Sequence, residues 1–316
     1  MARKRPKGVL SMGWAAIEAA ATGRTEHAPT SADYPDSVVR RMHFPAGAGL
    51  GWKLSAITTP RAKTAPWKIV VVTGAPSWAE YWAPALAALP LDREMTVVDR
   101  PGYAGSEPVE YVGDIRIQAR ALAPLLDAKF GQKVLLVGQS YGAAIAALMA
   151  AENPRKVAGL VLLSGYFGES GPTARWLLDM GLRFLKIIPR DLRHAVIEVT
   201  NQSSQLDGMH AALVRLRVPV HVIHGDKDDF APIEIAERLV SETRTHRPMR
   251  FERVAGATHF MNEGPTETLL SYIEACIPAR KPFVLKLPAV PGLPKLPSFG
   301  WFKPRTPRQR QTAAVV

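Results

Sequence analysis

Apolar runs without polar alternation recur along the middle of the chain, and Ala- and Leu-rich stretches with helical spacing separate them. A strand that is apolar throughout is buried on both faces, as in a parallel sheet that is covered by helices. The sequence therefore predicts an α/β fold with a mostly parallel central sheet and helices on both faces. The predicted strands are 37–44, 50–57, 67–74, 95–102, 133–138, 157–165, 218–225 and 250–256, and the predicted helices are 79–89, 113–130, 141–152, 232–243 and 265–276.

Two regions depart from this alternation. Residues 166–216 show helical pattern and no strand, which predicts a small helical lid over the carboxyl edge of the sheet. Beyond Pro278 a proline recurs every few residues and no acid occurs, which predicts a disordered tail. The predicted organisation is a basic, helical N-terminal extension over 1–35, a main domain over 36–278 that includes the lid, and a basic, Pro-rich tail over 279–316.

The net charge of +12 is concentrated at the two ends of the 316-residue chain. Residues 279–316 carry +8 and residues 1–10 carry +4, so the body between them is neutral. A neutral body argues against a basic nucleic-acid groove, and no nucleic-acid partner is expected.

The basic tail also contains aromatic side chains, Phe283, Trp301 and Phe302. Cations interleaved with aromatics suit peripheral contact with an anionic membrane. A solvated spacer is the default interpretation of the tail, membrane contact is the alternative, and Pro-rich docking to a partner protein is a third possibility.

Cys276 is the only cysteine, which excludes an intramolecular disulfide and Cys-based zinc or iron–sulfur sites. A reducing, cytoplasmic location fits this composition. The sequence has no run of 18 apolar residues, so no transmembrane helix is predicted. The N-terminal basic cluster precedes a mildly apolar run that Glu18 interrupts, which favours a surface helix and leaves an export or membrane-targeting role as the alternative.

One short motif joins a predicted strand to a predicted helix, Gly138-Gln139-Ser140-Tyr141-Gly142. A nucleophile elbow requires this context, because its serine sits on a strained turn between a strand and a helix. The flanking elements approach so closely that glycine is needed two positions to either side of the serine. Ser140 is therefore a candidate nucleophile, and a plain strand–helix turn is the alternative.

A serine nucleophile needs a histidine base and an orienting carboxylate. Asp226, Asp228 and Asp229 follow the strand 218–225, and His259 follows the last strand. The chain order of serine, aspartate and histidine is the order expected after a nucleophile elbow.

With these motifs the sequence resembles the α/β-hydrolase superfamily over about residues 36–278. The resemblance implies the α/β-hydrolase fold. GQSYG matches the elbow and implies Ser140 as nucleophile; HGDKD matches a Gly-Asp-x-Asp turn, whose second aspartate is Asp228; GATHF implies His259 as general base and acid. The segment DRPGYAGS (99–106) resembles a loop of the family that is mainly structural.

The loop after the third strand departs from the family pattern, since Thr73-Gly74-Ala75-Pro76-Ser77 stands where His-Gly-x-Pro-Gly is usual. The resemblance implies the backbone N–H groups of Ala75 and Tyr141 as oxyanion-hole donors. Because Thr73 replaces a histidine that usually organises the loop, the geometry of the loop is left open.

Three aromatic residues are candidates for the substrate pocket. Trp82 falls where the family commonly carries an aromatic, and Trp176 and Phe184 lie in the predicted lid, where helix packing is the alternative role. His221 and His224 lie on one predicted strand without a third ligand, so we interpret them as core or edge residues. No metal and no cofactor is expected.

The preferred hypothesis is a serine hydrolase that cleaves small-molecule carboxylic esters or thioesters through an acyl-enzyme on Ser140. Hydrolysis of a C–C or amide bond, or acyl transfer, could use the same triad. The serine disfavours epoxide-hydrolase and haloalkane-dehalogenase chemistry, for which relatives carry aspartate. The remaining alternative is a non-catalytic scaffold with a membrane- or partner-binding tail.

Overall fold

The structure is a computed structural model that describes residues 29–246 and 249–277. The first 28 residues of the predicted extension and the whole predicted tail, 279–316, lie outside the described residues.

A single eight-stranded sheet forms the centre of the molecule, in the order β1-β2-β4-β3-β5-β6-β7-β8. β2 pairs antiparallel with both β1 and β4, and all other neighbouring strands are parallel. Each strand lies within or beside a predicted apolar run, so the predicted mostly parallel sheet is confirmed. The strands are β1 (Arg40–Pro45), β2 (Lys53–Thr58), β3 (Trp67–Val72), β4 (Arg93–Asp99), β5 (Lys133–Gln139), β6 (Val157–Leu163), β7 (Val220–Gly225) and β8 (Arg250–Val254).

Helices cover both faces of this sheet. They are α1 (Ala83–Ala87), α2 (Ile115–Leu122), α3 (Gly142–Glu152), α4 (Pro172–Arg183), α5 (Arg190–Asn201), α6 (Leu206–Arg215), α7 (Ile233–Glu242) and α8 (Thr266–Ala275). Side chains of α2, α3, α6 and α7 share one hydrophobic core with the sheet, and those of α1 and α8 share the core of the opposite face. From Gly142 to Ala150 every residue of α3 is buried, because its many alanines let neighbouring elements approach from all sides.

Two predicted helices are shorter than their patterns. The predicted helix 79–89 is a 3₁₀ turn over Ala79–Trp82 followed by α1, and the predicted helix 113–130 is α2 followed by a 3₁₀ turn over Ala123–Leu126. Pro124 lies at the start of the second 3₁₀ turn, where its missing N–H prevents the α-helical ladder from continuing.

The interval between β6 and β7 contains helices and no strand, as its pattern predicts. Its parts differ in burial. α6 places Met209, Ala212 and Leu213 in the sheet core, whereas α4 buries only Ala174. Within the described residues, no helix is both long and apolar enough to cross a membrane.

Candidate active site

Ser140 lies at the junction of β5 and α3 with a φ of +50°, in the left-handed region that non-glycine residues seldom adopt. Its N–H donates to the Leu163 carbonyl at 3.0 Å, and its own carbonyl accepts the N–H groups of Ala143 at 3.0 Å and Tyr166 at 3.1 Å. A strained residue persists only where its surroundings over-determine it. These three bonds, to the end of β6, the start of α3 and the loop after β6, hold the Ser140 backbone in that conformation.

The two glycines of the motif provide clearance around the turn. A Cβ on Gly138 would lie 2.7 Å from both Ala143 Cα and Ala146 Cβ, and a Cβ on Gly142 would overlap the carbonyl oxygens of Val72 and Thr73. Real Cβ atoms do not approach this closely, so β5, α3 and the end of β3 could not pack in this way around larger residues.

The loops after β5, β7 and β8 bring the three predicted triad residues into contact. Nε2 of His259 lies 2.9 Å from Ser140 Oγ, and Nδ1 of His259 lies 2.8 Å from Asp228 Oδ2. An ionised carboxylate only accepts hydrogen bonds, so Nδ1 carries the hydrogen and Nε2 is free to accept the serine proton. The arrangement can therefore abstract the Ser140 proton as its oxygen attacks a substrate.

Asp228 is held as an anion by the groups that surround it. Its Oδ1 accepts the N–H groups of Phe230 at 3.0 Å and Ala231 at 2.8 Å, while its Oδ2 faces both His259 and His224. Burial alone would raise the pKa of Asp228, but the hydrogen bonds from His224, His259 and Ala231 outweigh burial and hold this pKa well below its usual range. The carboxylate therefore remains charged beside the histidine at neutral pH.

Aromatic rings fix the orientation of the His259 imidazole. The Phe230 ring stacks on it with centroids 5.4 Å apart, and the Phe260 ring meets it edge-on at 5.2 Å. Both residues adjoin the loops that carry the triad, so the same short segments supply the reacting groups and the apolar surfaces that orient them.

His224 has a role at this site that its sequence context does not reveal. It is buried on β7, and its Nε2 lies 2.8 Å from the Ala231 carbonyl and 3.2 Å from Asp228 Oδ2. The i, i+4 spacing of His224 and Asp228 is the one sequence signal that could have linked them. Among the described residues, no group of three His, Cys, Asp or Glu side chains could hold a metal ion.

The loop after β3 adjoins the candidate nucleophile. A Cβ on Gly74 would lie 2.8 Å from Ser140 Cβ, so Ala75 begins directly beside the serine. The backbone N–H groups of Ala75 and Tyr141 take part in none of the hydrogen bonds between described residues. The N–H of Tyr141 precedes the first turn of α3, where backbone donors lack helical partners. Neither predicted donor is thus engaged by an acceptor among the described residues, and their role as an oxyanion hole stays a prediction.

Thr73 fixes this loop to the end of β4. Its Oγ1 lies 3.1 Å from the Val98 carbonyl and also contacts Ser77 Oγ, which in turn accepts the N–H of Arg100 at 2.8 Å. The sequence leaves the geometry of the loop open because Thr73 replaces the usual histidine. In the structure, hydroxyl groups and Arg100 hold the loop.

The Arg100 guanidinium is fully buried, and all five of its N–H groups are used. Nε donates to the Thr73 carbonyl at 3.0 Å, Nη1 to Gln118 at 2.7 Å and to Glu198 Oε1 at 2.8 Å, and Nη2 to the Gly74 carbonyl and Glu198 Oε2, both at 2.7 Å. Glu198 lies on α5 and is also fully buried. Sequence reasoning missed this pair because no motif connects two residues that are 98 positions apart.

The three predicted pocket residues lie in different environments. Trp82 is buried in the core on the α1 and α8 side, and its indole N–H donates to Gln139 Oε1 at 3.1 Å, next to the elbow serine. Trp176 on α4 is 45% exposed, and Phe184, directly after α4, is 49% exposed. A substrate-pocket role for these residues stays a prediction.

The sequence and the fold of this chain are similar to those of known hydrolases. A sequence model of the alpha/beta hydrolase fold matches residues 68–207, a range that includes Ser140 and precedes the other two triad residues. The chain is 33% identical over 206 residues to a 2-hydroxy-6-oxononadienedioate/2-hydroxy-6-oxononatrienedioate hydrolase of Paraburkholderia xenovorans (strain LB400), covering 53% of this chain and 71% of that protein.

A second relative, a hydrolase of Dechloromonas aromatica (strain RCB) with the same two substrates in its name, is 34% identical over 101 residues. This match spans 32% of the chain and only 34% of the relative's length. Among solved structures, a thermophilic esterase from Thermogutta terrifontis superposes with a TM-score of 0.56 at 18% identity, covering 74% of this chain and 96% of the esterase. At that identity the superposition shows a shared fold.

Proposed function

The chain belongs to the α/β-hydrolase superfamily, and from that premise we propose that it is a serine hydrolase that cleaves carboxylic esters or thioesters through an acyl-enzyme on Ser140. One observation carries the proposal, namely that His259 lies within hydrogen-bond distance of Ser140 Oγ through one ring nitrogen and of Asp228 through the other. A scaffold without catalytic activity has no need of this arrangement.

In the acylation half, His259 Nε2 accepts the proton of Ser140 as Oγ attacks the acyl carbonyl carbon. Negative charge develops on the carbonyl oxygen, and the N–H groups of Ala75 and Tyr141 stabilise it. Removal of one such donor typically lowers kcat about 10²–10³-fold. The ester C–O or thioester C–S bond then breaks, and the imidazolium returns its proton to the departing alcohol or thiol.

In the deacylation half, water takes the place of the leaving group. His259 removes a proton from this water as its oxygen attacks the acyl carbon, and the same two N–H groups stabilise the second tetrahedral intermediate. Cleavage of the bond to Ser140 Oγ releases the carboxylic acid, and the proton on His259 passes to the serine. Asp228 stays ionised throughout and stabilises the imidazolium in both halves.

Hydrolysis of a C–C bond is the second candidate, and the similarity to the Paraburkholderia hydrolase favours it. A nonadienedioate carries two carboxylates, which a buried site would have to match with cations. Arg100 is the only buried Lys or Arg among the described residues, and its five N–H groups are all engaged within the protein. Arg100 is therefore not free to bind a substrate carboxylate.

Turnover assays separate the two candidates. Purified full-length protein is tested with 4-nitrophenyl esters of graded chain length, an acyl thioester and 2-hydroxy-6-oxononadienedioate, each with wild-type protein and Ser140→Ala. We expect turnover of the esters or the thioester that is lost in Ser140→Ala. Turnover of the dienedioate alone would overturn the ester assignment in favour of C–C hydrolysis, and equal turnover by both proteins would exclude Ser140 as the nucleophile.

A further inference from the structure

We infer that Arg100 is a positioning residue that orients the oxyanion-hole donor of Ala75, and that Glu198 on α5 holds Arg100 in place. The inference rests on the proposed function, since the direction of that N–H matters only if an oxyanion forms beside Ser140. It assigns a role in turnover to a buried ion pair in which neither residue belongs to the triad or to the hole.

One peptide group connects Arg100 to the Ala75 N–H. The carbonyl of Gly74 and the N–H of Ala75 belong to the same planar peptide unit, and in a trans peptide these two bonds point in opposite directions. Arg100 Nη2 donates to the Gly74 carbonyl at 2.7 Å, and Arg100 Nε donates to the preceding carbonyl, that of Thr73, at 3.0 Å. Because the guanidinium holds one side of the plane, it also fixes the direction of the Ala75 N–H on the other side.

The charge of Arg100 also strengthens the Ala75 donor. A carbonyl that accepts a charge-assisted hydrogen bond is polarised, and hydrogen bonds in a chain strengthen one another. The Arg100 cation therefore makes the Ala75 N–H a stronger donor as well as a better oriented one. The guanidinium carbon also lies 4.9 Å from the centre of the Tyr141 ring, so the same cation contacts the residue that carries the second predicted donor.

Glu198 stabilises the buried Arg100 cation. Both side chains are 0% exposed, and the carboxylate accepts one hydrogen bond from each Nη atom of Arg100. Gln118 and Tyr103 also donate to Glu198, which fills its remaining acceptor sites. A cation buried without its partner would carry a large desolvation cost, so loss of the Glu198 charge is expected to displace the guanidinium. In this way α5 is linked to the loop after β3.

The test compares three variants of the full-length protein with wild type. Arg100→Lys keeps the charge but lacks the five-donor fork. Glu198→Gln keeps the shape of the partner and removes its charge. Arg93→Lys is the matched control, because Arg93 forms a similar two-oxygen pair with Glu274 at the amino end of β4, away from the site. Each variant is assayed for kcat and KM on the best ester, for melting temperature, and for inhibition by a trifluoromethyl ketone that mimics the tetrahedral intermediate.

For Arg100→Lys we expect kcat to fall about 10-fold to 100-fold with KM changed by less than about threefold, a smaller loss than removal of a whole donor causes. The inhibition constant of the ketone should rise in parallel with the loss of kcat/KM, since both report on the oxyanion. Arg93→Lys should retain wild-type kinetics.

A lowered melting temperature with unchanged kcat and unchanged ketone inhibition would overturn the inference, because it would show that the ion pair only stabilises the fold. If Arg100→Lys does not fold, Glu198→Gln decides the matter: a kcat loss of about tenfold at constant KM supports the inference, and unchanged kinetics overturn it. The proposed function fails separately and earlier, because wild-type protein would then turn over no ester.

Discussion

At the scale of single residues, the site depends on how Asp228 holds His259. Replacing Asp228 with asparagine keeps the size of the side chain but adds an N–H group, which would favour the histidine tautomer whose Nε2 cannot accept the serine proton. We therefore expect Asp228→Asn to lower kcat about 10⁴-fold, measured on the best ester. Asp226→Asn is the matched control: Asp226 is exposed, accepts the N–H of Gly256 at 2.7 Å, and should leave turnover near the wild-type value. Near-normal activity of Asp228→Asn would assign the orienting carboxylate to another residue.

The same residue makes a pH-dependent contribution to stability. The pKa of Asp228 is lower in the folded protein than in the unfolded chain, where it is about 3.9. The ionised carboxylate therefore makes its full contribution to the free energy of unfolding above pH ~3.9. This contribution is lost as the pH falls toward the folded-state pKa. Urea unfolding of wild type and Asp228→Asn should show a difference in stability at pH 7 that shrinks below pH ~4. A difference that is independent of pH would show that the ionised form is not preferentially stabilised.

Residue identities were predictable where a local motif carries them. Ser140, Asp228 and His259 each lie in a short pattern directly after an apolar strand, and the structure brings all three together. The pairing of Arg100 with Glu198 was not predictable, because the segment 99–106 that contains Arg100 and the helical segment that contains Glu198 share no sequence signal. Only tertiary packing shows that the two side chains are buried and paired.

At the scale of elements, the junction of β5 with α3 depends on close packing around Gly138. Gly138→Ala should force apart atoms of β5 and α3, with an overpacking cost of about 1–3 kcal/mol and a large loss of turnover. Gly159→Ala on the neighbouring β6 is the matched control, since its Cβ would lie 3.1 Å from the end of the Leu135 side chain and 3.9 Å from the Pro219 carbonyl oxygen, without overlapping backbone atoms. Chemical unfolding and ester turnover of the two variants provide the comparison, and equal effects would contradict a special constraint at the elbow.

Strands were predicted better than helix ends. The apolar runs reveal buried strands directly, whereas the end of α2 depends on Pro124 within a pattern that continues to look helical. The interval between β6 and β7 illustrates a second limit. Its helical pattern is uniform, yet α6 joins the sheet core and α4 leaves most of its surface exposed. Amphipathic spacing identifies a helix without showing which neighbour covers it.

At the scale of the whole molecule, the carboxyl edge of the parallel sheet gathers the candidate site. β5, β7 and β8 lie far apart in the sequence, and the interval that contains α4, α5 and α6 separates β5 from β7. Because these strands run parallel in one sheet, they end at the same edge. The loop after β3 reaches the same edge. In an open parallel sheet this is the usual location of a ligand site, because loops from several strands converge there.

Membrane binding by the basic tail is a separate prediction, and the tail lies outside the described residues. Residues 279–316 carry +8 of the net +12 together with aromatic side chains, which we propose bind an anionic membrane surface. Full-length protein should sediment with vesicles containing phosphatidylglycerol, and a chain ending at residue 278 should not. Added salt should weaken the binding, because it screens the attraction between the tail and the lipid headgroups. Equal sedimentation of the two chains would remove the tail from this role.

Labelling with a fluorophosphonate tests most directly whether Ser140 is an activated nucleophile. The probe phosphonylates only a serine whose proton a neighbouring base removes, so it reports on the contact between Ser140 and His259 whatever the natural substrate is. We expect wild-type protein to be labelled on Ser140, as located by peptide mass spectrometry, and Ser140→Ala and His259→Ala to remain unlabelled. Equal labelling of wild type and Ser140→Ala, or no labelling of folded wild-type protein, would contradict the assignment of Ser140 as the nucleophile.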